Sequence, residues 1–182
     1  MNDIETIVNE IESVLRHLDT DHVNDIAASL LQAPRIFVVG EGRSGLMGRA
    51  FAMRLMHLGA TSYVVGETIT PAIQEHDVLV AISGSGKTEQ VVRVSEKAKS
   101  VGAVVVAVSA NALSNLAAVA DRLLLIPAAT KYQVAHELGS VQPLGSLFDQ
   151  CVHVALDAIC LRYAAATREN NGSAFARHSN ME

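Results

Sequence analysis

Val78-Leu79-Val80-Ala81-Ile82-Ser83-Gly84-Ser85-Gly86-Lys87-Thr88 decides the architecture of this chain. An unbroken apolar run rich in β-branched residues predicts a strand buried on both faces, as in a parallel sheet. A Ser/Gly stretch comes directly after it, and helical spacing takes over through residues 88–100. Strand, glycine-rich turn and helix together make half of a βαβ unit.

The same alternation extends in both directions. Upstream, Ile36-Phe37-Val38-Val39-Gly40 reads as a strand, 42–58 as a helix closed by Gly59, and 62–66 as a second strand. Downstream, 104–108 reads as a strand, 112–119 as a short helix, and 123–126 as a fifth strand stopped by Pro127. The expected fold is therefore α/β: a three-layer α/β/α sandwich on a five-stranded parallel sheet, flavodoxin-like in kind. Two amphipathic helices, 2–15 and 21–31, precede it. Residues 128–143 lack periodicity, and so long a loop in a compact domain is often functional. Residues 145–166 predict a helix apolar most of the way round, packed on the sheet and on a second subunit. The polar tail, 167–182, is of a kind usually disordered. With no repeat and no linker, the expectation is one domain, 1–182: helices to residue 33, the sheet and its helices over 34–166, then the tail.

Composition narrows the function. The 182 residues are 49% hydrophobic and 18% charged, with a formal net charge of -5. Nucleic-acid binding is not expected without a basic excess, although a local site can still attract an anion. No apolar run reaches membrane-spanning length, and the start has no basic segment of an export signal. Cys151 and Cys160 lie too far apart along one helix for a disulfide, and no Cys/His spacing matches a zinc site. A cytoplasmic protein without metal or cofactor is expected.

In an open parallel sheet, ligands bind beyond the carboxyl ends of the strands. Two Gly/Ser loops fall there: Gly40-Glu41-Gly42-Arg43-Ser44-Gly45, and Ser83 through Thr88. Glycines let backbone approach a ligand, helix N-termini offer free N–H groups to an anion, and hydroxyls add donors. Ser44, Ser83, Gly84, Ser85, Gly86 and Thr88 are the expected phosphate ligands. The loop is not a Walker sequence, because the required upstream glycine is Ala81. The first loop fits G-x-G-x-x-G, but no acidic residue stands near 60–63 to hold a ribose.

These residues carry a resemblance. Ser83 through Thr88 resembles the signature of the sugar isomerase (SIS) domain. Gly42-Arg43-Ser44-Gly45, Met53-Arg54-Leu55-Met56-His57-Leu58-Gly59, Gly66-Glu67-Thr68, Gly145-Ser146-Leu147-Phe148 and the closing Arg177-His178-Ser179-Asn180-Met181-Glu182 resemble the 6-phospho-3-hexuloisomerase family, in order along the chain. That resemblance implies interconversion of D-arabino-hex-3-ulose 6-phosphate and fructose 6-phosphate by a homotetramer. It also implies a setting in formaldehyde fixation, the ribulose monophosphate pathway. Asp149 stands where Glu is more usual in the family, and Glu41 where Ala or Ser is.

Such a reaction passes through an enediolate. It needs an acid/base group, a partner for the oxyanion and a phosphate grip. His178 is one expected acid/base group. The carboxylate is expected to be Glu67, which comes after the second strand, or Asp149, in the first turn of the long helix; Glu137, Glu89 and Glu182 are further candidates. Arg43 is expected to neutralise the enediolate or the phosphate. His57 reads as a packed structural histidine. Two alternatives stay open: a non-catalytic phosphosugar sensor, and an isomerase for another sugar phosphate such as arabinose 5-phosphate. No helix-turn-helix segment is left over for a sensor that binds DNA.

Overall fold

The computed structural model describes residues 2–133 and 137–181. Strands β1 (Ile36–Gly40), β2 (Ser62–Val64), β3 (Val78–Ile82), β4 (Val104–Ser109) and β5 (Arg122–Leu125) pair in parallel in the order β2-β1-β3-β4-β5. Alternate side chains face opposite ways along each strand. Val38, Val80, Ile82, Val106 and Val108 join one core, under helices α1 (Asp3–Leu15), α2 (Thr20–Gln32), α3 (Gly42–His57) and α6 (Ser146–Thr167). Phe37, Val39, Leu79, Ala81, Val105 and Ala107 join the other, under α4 (Glu89–Ser100) and α5 (Asn115–Val119). The expected five-stranded parallel sheet covered on both faces is what the chain forms. Among the described residues, no helix is long and apolar enough to cross a membrane.

Strand order reverses between β1 and β3, whose last residues, Gly40 and Ile82, are register partners. That neighbourhood brings the two Gly/Ser loops side by side. At the opposite end of the same strands, Asp77 is buried. It takes a forked pair of bonds from Arg35, Nε to Oδ1 at 3.0 Å and Nη2 to Oδ2 at 2.6 Å.

Three differences from expectation have local causes. β2 stops at Val64 because the chain turns at Gly66, which takes φ +96°. The short helix after β4 starts at Asn115 because the Ser114 hydroxyl accepts from Ala117 N and caps it there. The tail contains α7 (Asn171–Ala176), opened by a capping box between Asn170 and Ser173.

Candidate active site

A cleft of about 350 Å³ opens beyond the carboxyl ends of β1 and β3. On one side α3 starts directly against β1. A Cβ on Gly45 would lie 2.5 Å from Gly40 O, so backbone touches backbone there. The glycine spacing that fits a dinucleotide fingerprint thus serves close packing of helix on strand.

The second loop is tied from within and from below. Ser83 is buried, and its hydroxyl shares a 2.8 Å bond with the Thr88 hydroxyl. Gly84 O accepts from Ala110 N at 3.0 Å and from the Ser109 hydroxyl at 3.1 Å. Gly86 sits at φ +62°, and a Cβ on it would lie 2.0 Å from Ser114 Oγ. Only glycine fits that turn, for space and for backbone conformation. Gly86 therefore shapes the loop, while Ser83, Gly84, Ser85 and Thr88 line the cleft with Ser44.

Helix caps distinguish this end of the molecule. α1, α2, α5 and α7 are each closed by a side chain, from Asn2, Asp19, Ser114 and Asn170. α3, α4 and α6 begin at Glu41, Thr88 and Gly145, none of which makes a side-chain cap bond, and all three of these residues line the cleft. Three helix N-termini thus converge with their first-turn N–H groups uncapped by side chains, the arrangement that binds an anion.

Asp149 lies in the first turn of α6 with 6% of its surface exposed. Its Oδ1 accepts from the Ser44 hydroxyl at 2.8 Å, and its Oδ2 lies 3.3 Å from Arg43 Nε. Arg43 also donates from Nη1 to the Ser146 hydroxyl at 3.1 Å. Burial pushes the Asp149 carboxyl above its ordinary range; the Ser44 bond and the Arg43 charge oppose the shift without cancelling it. The group is thus a buried carboxyl beside a cation and hydroxyls.

The irregular segment supplies the far wall. Thr130, Lys131, Tyr132 and Leu144 line the cleft with Phe148 of α6. Lys131 Nζ lies 5.0 Å from the centre of the Tyr132 ring. Aperiodicity draws attention to this segment without singling out Lys131; a cation in a long aperiodic loop was the available signal. Glu137 holds the wall rather than facing the cleft: it accepts from Thr130 N at 2.8 Å and from the Thr130 hydroxyl at 2.6 Å.

Other expected residues lie outside the cleft. Glu67 is exposed in a separate groove with Arg49, Met53 and Tyr63, on the β2 side of α3. His178 stacks on His57, ring centres 5.3 Å apart, at the C-terminal end of α3. The 14 positions from Arg43 to His57 put His178 roughly 20 Å from the cleft at 1.5 Å per residue. Arg177 pins it there, donating to Glu169 at 2.8 and 3.0 Å and to His57 O at 3.2 Å. That fork draws the Glu169 carboxyl down to about 2. His57 is buried as expected; burial, Arg54 and His178 all lower its pKa. Glu89 is exposed in the first turn of α4 and is not part of the cleft wall. Glu182 lies outside the described residues. Among the described residues, no group of three or more His, Cys, Asp or Glu side chains is placed to hold a metal ion.

The cleft lies at the switch point of a doubly wound sheet, where such folds bind their ligands, and the chain belongs to the SIS domain family, whose model matches residues 29–153. Within the family its relatives are specific. It is 35% identical to the 3-hexulose-6-phosphate isomerase of Bacillus subtilis, over 97% of this chain and 95% of that protein. It is 39% identical to the 3-hexulose-6-phosphate isomerase of Mycobacterium gastri, over 100% of this chain and 90% of that protein. A crystal structure of a protein from Methanococcus jannaschii, for which a molecular function of 3-hexulose-6-phosphate isomerase is inferred, superposes with a TM-score of 0.87 at 30% identity, covering 100% of both chains.

Proposed function

We propose that this protein is a 3-hexulose-6-phosphate isomerase, interconverting D-arabino-hex-3-ulose 6-phosphate and fructose 6-phosphate. The observation that carries the reading is the convergence of three helix N-termini without side-chain caps around a buried carboxylate. The N-termini and the Ser83, Ser85 and Thr88 side chains hold the phosphate, which fixes the inert end of the sugar. Asp149 is the base. It takes the C2 proton, the electrons of that C–H bond form the C2–C3 double bond, and the C3 carbonyl oxygen takes up the negative charge. Arg43 balances that charge, and Lys131 reaches the same space. Passage of the C2 hydroxyl proton to the C3 oxygen re-forms a carbonyl at C2, and the double-bond electrons take a proton back from Asp149 at C3, which completes fructose 6-phosphate. Asp149 takes precedence over Glu67, because Asp149 lies in the cleft and is buried.

His178 moves protons between the two oxygens, delivered to this cleft by the tail of a neighbouring subunit. The roughly 20 Å between His178 and its own cleft supports that arrangement. So do the exposed Ile4, Val8, Val154 and Leu161 on α1 and α6, which suit a homotetramer better than free surface. Cys151 and Cys160 are free and buried, and burial pushes both thiols up to about 12.

The test is a coupled assay. Purified protein is given the 3-hexulose phosphate, and fructose 6-phosphate is monitored through hexose-phosphate isomerase and a dehydrogenase. Sustained product formation is expected. Tight phosphosugar binding without product would favour a sensor, and turnover of arabinose 5-phosphate alone would reassign the substrate.

A further inference from the structure

No residue of α1 lines the cleft, yet one of its side chains reaches loop 140–142, two residues before the cleft-lining Leu144. Glu10 is half-buried on α1 and meets a segment about 130 residues away. Its Oε2 accepts from the Ser140 hydroxyl at 2.7 Å and from Gln142 Nε2 at 2.9 Å, and its Oε1 accepts from Val141 N at 2.8 Å. The Ser140 hydroxyl in turn accepts from Gln142 N at 2.9 Å. Gln142 is buried, and its Oε1 accepts from Gln150 Nε2 at 2.8 Å, next to Asp149 on α6. One carboxylate therefore gathers three donors of a loop and ties them to the helix that carries the proposed base. Burial pushes the Glu10 carboxyl up, but the bonds from Ser140, Gln142 and Val141 outweigh it and hold it below its ordinary range, so the acceptor stays charged.

The backbone just beyond this knot is strained. Leu144 takes φ +55°, a conformation that persists in a bulky L residue only where its surroundings over-determine it. Leu144 and Gly145 both line the cleft. Leu144 lies between the knot at 140–142 and the start of α6, with its side chain exposed.

We propose that Glu10 is a positioning residue for the active site: it clamps loop 140–142 and so holds Leu144 and the start of α6 in the shape that receives the sugar phosphate. This rests on the cleft being the phosphosugar site. Glu10→Ala isolates the effect, since alanine keeps the helix and the capping box at Asn2 and Glu5 is untouched.

The experiment compares wild type, Glu10→Ala, Ser140→Ala and the double variant by hydrogen exchange of peptides covering 139–148, with kinetics on the 3-hexulose phosphate and calorimetric binding of fructose 6-phosphate. Glu10→Ala is expected to speed exchange on the order of tenfold and to raise KM by a similar factor, with kcat within about twofold, because charge-assisted bonds to backbone and hydroxyl are lost. Ser140→Ala shifts both in the same direction by less, and the double variant is no worse than Glu10→Ala, since the two groups act as one unit. Unchanged exchange, faster exchange with unchanged KM, or additive losses each overturn the clamp. A wild type that binds fructose 6-phosphate without isomerising anything sinks the isomerase reading alone. The clamp then stands or falls on whether Glu10→Ala weakens that binding. A wild type that binds no sugar phosphate removes both.

Discussion

Burial works against a charge on Asp149. A carboxyl that is 6% exposed loses hydration, and Ser44 and Arg43 only partly replace it. Its folded value is raised, so the stability it contributes is present below the ordinary carboxyl range and is lost as pH rises through that raised value. Asp149→Asn removes the charge and keeps an acceptor for the Ser44 hydroxyl. Turnover is expected to fall by about a hundredfold to ten-thousandfold. Unfolding at neutral pH is expected to become harder by about 1 kcal/mol, an advantage that disappears in acid. Chemical denaturation of both proteins across pH checks this; an Asn variant less stable than wild type at neutral pH would show that the charge is fully compensated. Asp149 was one of several carboxylates the sequence offered. Burial is what sets it apart from the exposed Glu67, and burial belongs to the packing of α6, which no local pattern states.

Turns and helix starts were the most legible elements. Apolar runs punctuated by Gly, Ser and Pro placed β1, β3 and both loops, because those residues act within one or two positions of themselves. Helix caps were legible only where a side chain makes them. The missing caps of α3, α4 and α6 became meaningful once the sheet had brought those three helix starts together. Gly86 tests how rigidly the loop from Ser83 to Thr88 is built. Gly86→Ala forces a Cβ into Ser114 at φ +62°, and is expected to destabilise the fold by about 2–4 kcal/mol and to abolish phosphosugar binding. Adding Ser114→Gly relieves the contact but not the backbone strain, so it should restore part of the stability, measured by thermal unfolding. Complete recovery would mean that the backbone conformation costs nothing. Composition misjudges the tail: polar as it is, α7 docks because the Arg177 fork to Glu169 and the His57 carbonyl supplies what apolar burial does not.

The whole molecule decides where His178 can act. α3 spans the distance from cleft to tail, and the Arg177 fork keeps the imidazole at the far end. If sites are shared between subunits, His178→Ala and Asp149→Asn are each inactive alone but complementary when mixed. With random exchange, half the pairs are mixed and each of these has one intact site of two, so about a quarter of wild-type activity should return. Denaturing and refolding the variants together, then assaying, provides the measurement. Activity no greater than that of the separate variants would place His178 outside the chemistry or confine it to its own subunit.

By itself the sequence determined the α/β layering, the parallel sheet, the positions of the two loops and the helix starts that follow them. All of these come from near-neighbour physics: hydrophobic period, turn residues and free N–H groups at helix starts. The family resemblance pointed further, to the reaction. Tertiary structure alone decided which carboxylate is buried beside Arg43, that Lys131 stands in the cleft wall, that Glu10 reaches loop 140–142, and that His178 lies far from its own cleft. Each of these joins residues distant in the chain, and such contacts are set by how helices pack on the sheet rather than by any local spacing.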